Sequence, residues 1–443
     1  MGSGTSLEYC DLTDIGRRRT SNQDARAVLA PWSMDQYRRR GWLFMVADGM
    51  GAHAAGEMAS ALAAEHVPLT YEKHAARSPP VALKTSIEHA NHEIHARGES
   101  AVDLKGMGTT CTALALLPRG ALVGHVGDSR AYRVRGGRIE QLSRDHSLAW
   151  EMEGHKIPGM EEPIPKNIIT RSMGPHAQVP VDLEGPFPVE AGDVFVLCSD
   201  GLSGQVADEE IGVFAATLPP RDSAATLLGL ALVRGAPDNV TVIVAKAGPQ
   251  EATKAAGGDP WPLTLEAPAT PAPRPVPWRM LAVAAASLLV ALVFNPWSAL
   301  MQPTGLVGGL LGASLAQAIA FVVSIAMGLL AIGALVATTL ATVVPETVGG
   351  RVLPIGAKLG GGPYRTYGCA PSEPILEGIL ASVESAADGL STEDRDHLLA
   401  AVTAARKRIK DRDVPGSLRV AAEAIAIYRR AVDKARSDDT ALG

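Results

Sequence analysis

Apolar residues in the first half of the chain come in short, closed runs. Those at 42–47, 111–117, 121–126, 194–198 and 240–245 are rich in Val, Leu, Ile and Ala and are bounded by Gly, Pro or Asp. Runs of that length predict buried strands. Residues 131–142 alternate around Gly136-Gly137 and predict a hairpin. A period near 3.6 predicts helices over 55–67, 80–97, 207–217 and 221–234. Strands mostly follow strands and the helices cluster between them. This favours an α+β unit with antiparallel sheets over regular βαβ alternation.

Beyond residue 247 the pattern changes three times. Residues 248–278 are studded with prolines and predict a stiff, coreless linker. From Arg279 to Glu346 no Asp, Glu, Lys, Arg or His intervenes. Since a span needs about 20 apolar residues, this stretch (279–345) predicts a transmembrane region. Asn295-Pro296 and Gln302-Pro303 punctuate it, and the simplest reading is a helical hairpin with spans at about 280–300 and 317–344. Arg274 and Arg279 precede the tract and Arg351, Lys358 and Arg365 follow it. Both flanks therefore read as cytoplasmic, placing the chain in a cell (inner) membrane in contact with the lipid bilayer. Small residues at 305, 308, 309 and 312 would let helices approach closely, so the spans either mediate an oligomer or simply reflect the abundance of Ala and Gly. A Gly-rich connector follows at 346–373. Residues 374–436 then carry three apolar stripes, one behind the Ser391–Asp394 capping signal, and predict a small cytoplasmic helical tail.

Charge and cysteine content narrow the function classes. A net charge of −6 argues against nucleic-acid binding. The four cysteines, Cys10, Cys111, Cys198 and Cys369, are far apart with no CxxC pair, which reads as a reducing compartment without disulfides or zinc. The first thirty residues hold no secretory signal, and MGSGTS matches an acylation pattern only loosely.

The chemistry lies at the ends of the strand-like runs. WLFMVA leads into Asp48-Gly49, ALVGHVG into Asp128-Ser129 and VFVLCS into Asp200-Gly201, while Asp238-Asn239 opens VTVIVA. Any one Asp-Gly is an ordinary turn. Four acids at sheet ends are different, because they repel one another unless a cation intervenes. Oxygen-only ligation without a Cys/His set suits Mg²⁺ or Mn²⁺. Residues 13–25, TDIGRRRTSNQDA, add three arginines, and an arginine fork is the natural partner of an oxyanion.

Taken in order, GRRRTSNQD (16–24), VADGMGAHAAGE (46–57), MGTTCTAL (107–114), GDSRAYRVRGGRIEQLSRDHS (127–147), IITRSMG (168–174), SDGL (199–202) and APDNVTVIVA (236–245) resemble the metal-dependent protein serine/threonine phosphatases of type 2C, in their bacterial form. The resemblance covers nearly all of residues 8–247 and leaves out the uncharged tract and the tail. It implies a phosphatase domain over 1–247 with an αββα sandwich and two divalent ions, Mn²⁺ or Mg²⁺, at one end. By position, Asp48 matches the acid bridging both ions and Gly49 a backbone-carbonyl ligand. Asp200 and Asp238 match further metal acids, and Asp128 an acid for a weaker third ion. Asp24 matches an acid orienting the attacking water, and Arg19 the phosphate-gripping arginine. The substrates implied are phosphorylated proteins, the targets of a serine/threonine kinase.

The pattern also departs from the family. Gln23 stands where many members have Glu, Ala52 replaces a glycine, and Met50 occupies the place of a histidine proposed as general acid in animal members. His53 lies three residues on and is a secondary candidate, as is Asn239 beside Asp238. Residues 147–167, with three prolines, read as a flap or an ordinary surface loop. Two rival functions stay open: an inactive phosphatase fold serving as a phosphoprotein-binding scaffold, and a membrane protein regulated by its soluble domain.

Overall fold

In a computed structural model, the chain is described over residues 7–51, 55–74, 76–153, 168–253, 261–263, 278–293, 313–343 and 352–442. It divides into two units, residues 1–263 together with 352–443, and residues 264–351.

The first unit begins with β1 (Glu8–Asp14), β2 (Asp24–Leu29), α1 (Met34–Arg40), β3 (Trp42–Met50), α2 (Ala55–Lys73) and α3 (Pro79–Glu99). Next come β4 (Gly108–Thr109), β5 (Cys111–Leu117), β6 (Gly120–Val126), β7 (Arg130–Arg135), β8 (Arg138–Gln141), α4 (Leu148–Glu151), β9 (Asp182–Phe187) and β10 (Val194–Cys198). The phosphatase-like region ends with α5 (Asp200–Ser203), α6 (Asp208–Thr217), α7 (Pro220–Val233) and β11 (Val240–Lys246), followed by the short β12 (Trp261–Pro262). The second unit contains α8 (Trp278–Val293) and α9 (Ala313–Val343). The chain then returns to the first unit with β13 (Val352–Leu353), β14 (Arg365–Gly368), α10 (Glu373–Ala386), α11 (Thr392–Lys410) and α12 (Val414–Leu442).

Two antiparallel sheets face each other. One runs β1-β11-β10-β7-β8-β14, the other β2-β3-β5-β6-β9, with β4 alongside β3. Alternation along the strands explains the layering, because successive side chains leave opposite faces. Phe44 and Val46 join Phe195, Leu197, Ile243 and Leu114 in the core between the sheets. Leu43, Met45 and Ala47 face α2 and α3. Val196, Cys198, Val242 and Val244 turn the other way, onto α6 and α7. Each such fully buried aliphatic or aromatic side chain contributes about 1.5–3 kcal/mol relative to exposure. The α+β expectation and the αββα order are thus found.

Three expectations change. The run before Asp48-Gly49 does not stop there: β3 continues through Met50, with Gly49 paired to Thr109 of β4. The helical tail is not a separate bundle, since Leu376, Ile379, Leu398, Leu418 and Ile425 share one buried cluster with α6 and α7. Finally, the expected transmembrane hairpin is not found: among the described residues no helix is long and apolar enough to cross a membrane. Helix α8 has 16 residues, short of the roughly 20 a span needs. Within this unit Ser324 Oγ donates to Ala291 O at 3.2 Å, tying α9 to α8.

The segment expected to be a connector instead straps the sheets. β14 lies antiparallel to β8, and Gly185 of β9 exchanges backbone hydrogen bonds with Leu359. Glu184 accepts from Gly362 N at 3.0 Å and from the Tyr364 hydroxyl at 2.5 Å.

Candidate active site

Five acids reach one end of the sandwich, Asp48 from within β3 and the other four from the starts of elements or the connections between them. Asp24 opens β2 and stands directly opposite Asp48 of β3 in the ladder. Asp128 lies between β6 and β7, Asp200 opens α5 after β10, and Asp238 precedes β11. The two sheets are tied at this end by Ser199 Oγ, which donates to Asp24 Oδ2 at 2.7 Å. Two glycines allow the approach. A Cβ on Gly49 would lie 2.1 Å from Gly56 O, and one on Gly201 would lie 1.9 Å from Asn239 O. Any other residue at either position would push backbone apart.

The acids crowd one another. Burial, then the charges of Asp200 and Asp238, push Asp24 up to about 7 against the hydrogen bonds from Ser199 and Thr241. Burial, then Asp200 and Asp145, push Asp128 up to about 8. Asp48 is only partly covered from solvent, yet the protein atoms around its carboxyl, then Asp24, Asp200 and Asp128, push it well above the carboxylate range. Asp200 is raised by burial and by Asp238, while a hydrogen bond from Asp48 lowers it.

Arg19 answers part of this charge. Its Nη2 donates to Asp238 Oδ2 at 2.8 Å while half of the side chain stays exposed. The hydrogen bond to Asp238 holds the guanidinium charged.

Among the described residues, no three acid, histidine or cysteine side chains stand ready-spaced around a common point for an ion. The contacts explain why: Asp238 is folded onto Arg19, and Asp48 shares its hydrogen bond with Asp200. The donor chemistry nevertheless fits a hard cation. Asp24 Oδ1, Asp128 Oδ1 and Asp200 Oδ1 are buried without a hydrogen-bond partner, and a buried carboxylate oxygen in that condition is costly unless a cation or proton satisfies it.

The remaining sequence candidates fall in different places. Asn239 is a brace: its Nδ2 donates to Ile15 O at 2.8 Å and Ser21 O at 3.0 Å, and its Oδ1 accepts from Gln23 N at 2.8 Å. Gln23 O in turn accepts from Gly49 N at 3.0 Å. His53, Ala52 and the proline-rich part of the expected flap, 154–167, lie outside the described residues. Cys111 and Cys198 are fully buried in core strands, and burial pushes both thiols up to about 12.

Sequence reasoning missed a charged wall beside the acids. A cleft of about 530 Å³ is lined by Asp128, Asp200 and Asp238 and also by Arg130, Asp208 and Arg365. Arg130 forks onto Asp145 at 2.7 and 2.9 Å, and Tyr132 Oη donates to Asp208 at 2.7 Å. Arg365 arrives from β14, pairs with Glu153 and lies 3.8 Å over the Trp150 ring. His146 accepts from Gly127 N at 2.9 Å and meets Asp182 at 2.9 Å, bracing the turn that carries Asp128. The signal available was the SRDHS run at 143–147, which carries Asp145 and His146. A larger cavity of about 690 Å³ lies between α7 and α12. It holds none of the five acids, so the chemistry belongs to the smaller cleft.

Crowded acids beside an exposed arginine have the chemistry to attract a hard cation and an oxyanion. The chain belongs to the protein phosphatase 2C family: a family-wide match to Protein phosphatase 2C covers residues 16–227. It is similar to the protein phosphatase PhpP of Streptococcus pneumoniae, 33% identical over 255 residues, spanning 56% of this chain and 100% of that protein. It is also 35% identical over 243 residues to the serine/threonine protein phosphatase PstP of Mycobacterium tuberculosis, spanning 54% of this chain and 45% of that one. A crystal structure of the M. tuberculosis phosphatase PstP/Ppp aligns with a TM-score of 0.48 and 35% identity, covering 55% of this chain and 99% of that one. By its family and these curated relatives the chain is a protein-serine/threonine phosphatase. The family match ends before the second unit and the three tail helices.

Proposed function

We propose that the enzyme hydrolyses phosphoserine and phosphothreonine in proteins by direct attack of water, without a covalent intermediate. Asp48, Asp200 and Asp238, with the Gly49 carbonyl, would hold two divalent ions, Mn²⁺ or Mg²⁺, and Asp128 a weaker third. Such ions, when bound, supply a water acidified toward neutrality and neutralise phosphoryl charge. The chain's own groups do the rest. Arg19 exchanges Asp238 for the phosphoryl oxygens, a match of fork to oxyanion. Asp24, anchored through Oδ2 by Ser199, keeps Oδ1 unbonded and takes the proton of the attacking water there. The observation that carries this reading is the set of three buried, unpartnered carboxylate oxygens in the acid cluster that Arg19 joins through Asp238. An inactive scaffold is disfavoured because all the matched acids are present.

The full-length protein should turn over phosphoserine and phosphothreonine peptides with Mn²⁺ or Mg²⁺, stop with chelator, and lose at least about 100-fold in kcat on Asp48→Asn. Turnover that survives exhaustive chelation, or a near-normal Asp48→Asn enzyme, would refute it. We also read the uncharged tract as a tether to a cell membrane, with the catalytic unit on the cytoplasmic side. The absence of ionisable residues between Arg279 and Glu346 and the basic residues on both flanks support this.

A further inference from the structure

The loop after β1 carries Arg19 to the acids, and it is tied down from three directions. On the core side, Arg17 N donates to Ala236 O at 2.8 Å, and Asn239 holds the carbonyls of Ile15 and Ser21. Within the loop, Asp14 Oδ1 accepts from Gly16 N at 2.8 Å. The third tie comes from α12, 422 residues further along the chain. Arg436 Nη1 donates to both carboxylate oxygens of Asp14 at 3.0 Å, and its Nη2 donates to Gly16 O at 2.5 Å. About two turns earlier on the same helix face, Tyr428 Oη accepts from Arg17 Nη1 at 2.6 Å.

These contacts have a built seat. Tyr428, Ile425, Ala424, Ala421 and Leu418 of α12 are buried. Helix α7 presents Gly229 to them, where a Cβ would come within 2.6 Å of the Ile425 side chain. Asp14 is only 11% exposed, so its bond to Arg436 is shielded from water. At the other end of the loop, Gly16 has φ +77° and leaves no room for a Cβ, which would lie 2.1 Å from Asp238 O. The Arg436 contact therefore acts on a loop already wedged against a candidate metal acid.

We infer that Arg436, aided by Tyr428, is a positioning residue for phosphate recognition: α12 holds the 14–19 loop so that Arg19 meets the phosphoryl group beside the acids. The catalytic unit is complete only with the tail docked, although the tail lies outside the region matched by the family. The inference rests on the proposed role of Arg19.

The test uses full-length protein with Mn²⁺ and three readouts: steady-state kinetics on a phosphothreonine peptide, inhibition by inorganic phosphate, and amide hydrogen exchange over residues 14–22. Arg436→Ala should raise KM and the phosphate inhibition constant about tenfold, because a loosened loop misplaces the arginine. It should speed exchange in the loop while Asp48-dependent turnover persists. Arg436→Lys should fall between it and the wild type, and adding Tyr428→Phe to Arg436→Ala should deepen the defect. Unchanged KM, phosphate inhibition and exchange in Arg436→Ala would overturn the inference even if the variant melted earlier, since that result marks a purely structural contact. A wild-type protein inert on phosphopeptides would instead defeat the hydrolytic reading, and the exchange comparison would then still decide the latch on its own.

Discussion

Without a cation, the acid cluster should make the protein less stable as the solution becomes more basic, and Asp128 sets the size of the effect. Its carboxyl is pushed up to about 8 by burial, then by Asp200 and Asp145. Between the ordinary value of 3.8 and about 8, the folded protein holds a proton that the unfolded chain has released. The stabilisation is therefore complete below 3.8 and is lost as pH climbs through the window. One pH unit there corresponds to about 1.4 kcal/mol. Moving from pH 5 to 7 removes about 3 kcal/mol through this group, roughly 4 °C in Tm for a unit of this size. Asp24, pushed up to about 7, acts in the same direction. His125 acts in the opposite one: burial, then His146, hold it down to about 3, so the unfolded chain gains protons below 6.5 that the folded one refuses. The decisive quantity is thus the difference in Tm between wild type and Asp128→Asn, measured by fluorescence melts in chelator. The variant should melt at the higher temperature, by a margin that widens from pH 5 to 7. Mn²⁺ should raise the wild-type Tm more at pH 7 than at pH 5, because ligating carboxylates must be ionised. A difference that stays constant across the range would refute the account of a desolvated, mutually repelling cluster.

Two further outcomes follow from packing and composition. Gly201→Ala places a Cβ 1.9 Å from Asn239 O, a backbone atom that cannot yield without moving Asp238; it should lower stability by about 1–3 kcal/mol and peptide turnover by more than tenfold, read by denaturant melts and initial rates. If the uncharged tract is a tether, the full-length protein should stay with the membrane pellet through an alkaline carbonate wash, whereas release into the supernatant would remove the tether from the reading.

Much of the fold could be read from the chain because its signals are local. The run 42–47 is apolar on both faces, as a strand buried between helices and a second sheet must be, and Phe44 and Leu43 indeed point to different cores. The acids could be collected for the same reason: each sits at a strand end or a turn, and strand ends of one sandwich meet. What could not be read is pairing across distance. Nothing local in Arg130 announces that it will fork onto Asp145, and nothing in Asp14 announces Arg436. Nor did the apolar stripes of the tail helices say what they cover.

One signal for that partner was nevertheless present. Gly212 and Gly229 sit inside helices α6 and α7, where glycine costs about 1 kcal/mol relative to alanine. Such a cost at two positions calls for something that must come close. In the structure a Cβ on Gly212 would meet Cys369 at 2.5 Å, and one on Gly229 would meet Ile425 at 2.6 Å. Both contacts come from the segment beyond the uncharged tract. The helices that cover one face of the phosphatase sandwich are therefore shaped for the chain's own C-terminal region, which argues that tail and catalytic unit form one structure. A change in how the tail is seated would then be transmitted to the Arg19 loop through Asp14 and Gly16, the residues Arg436 holds.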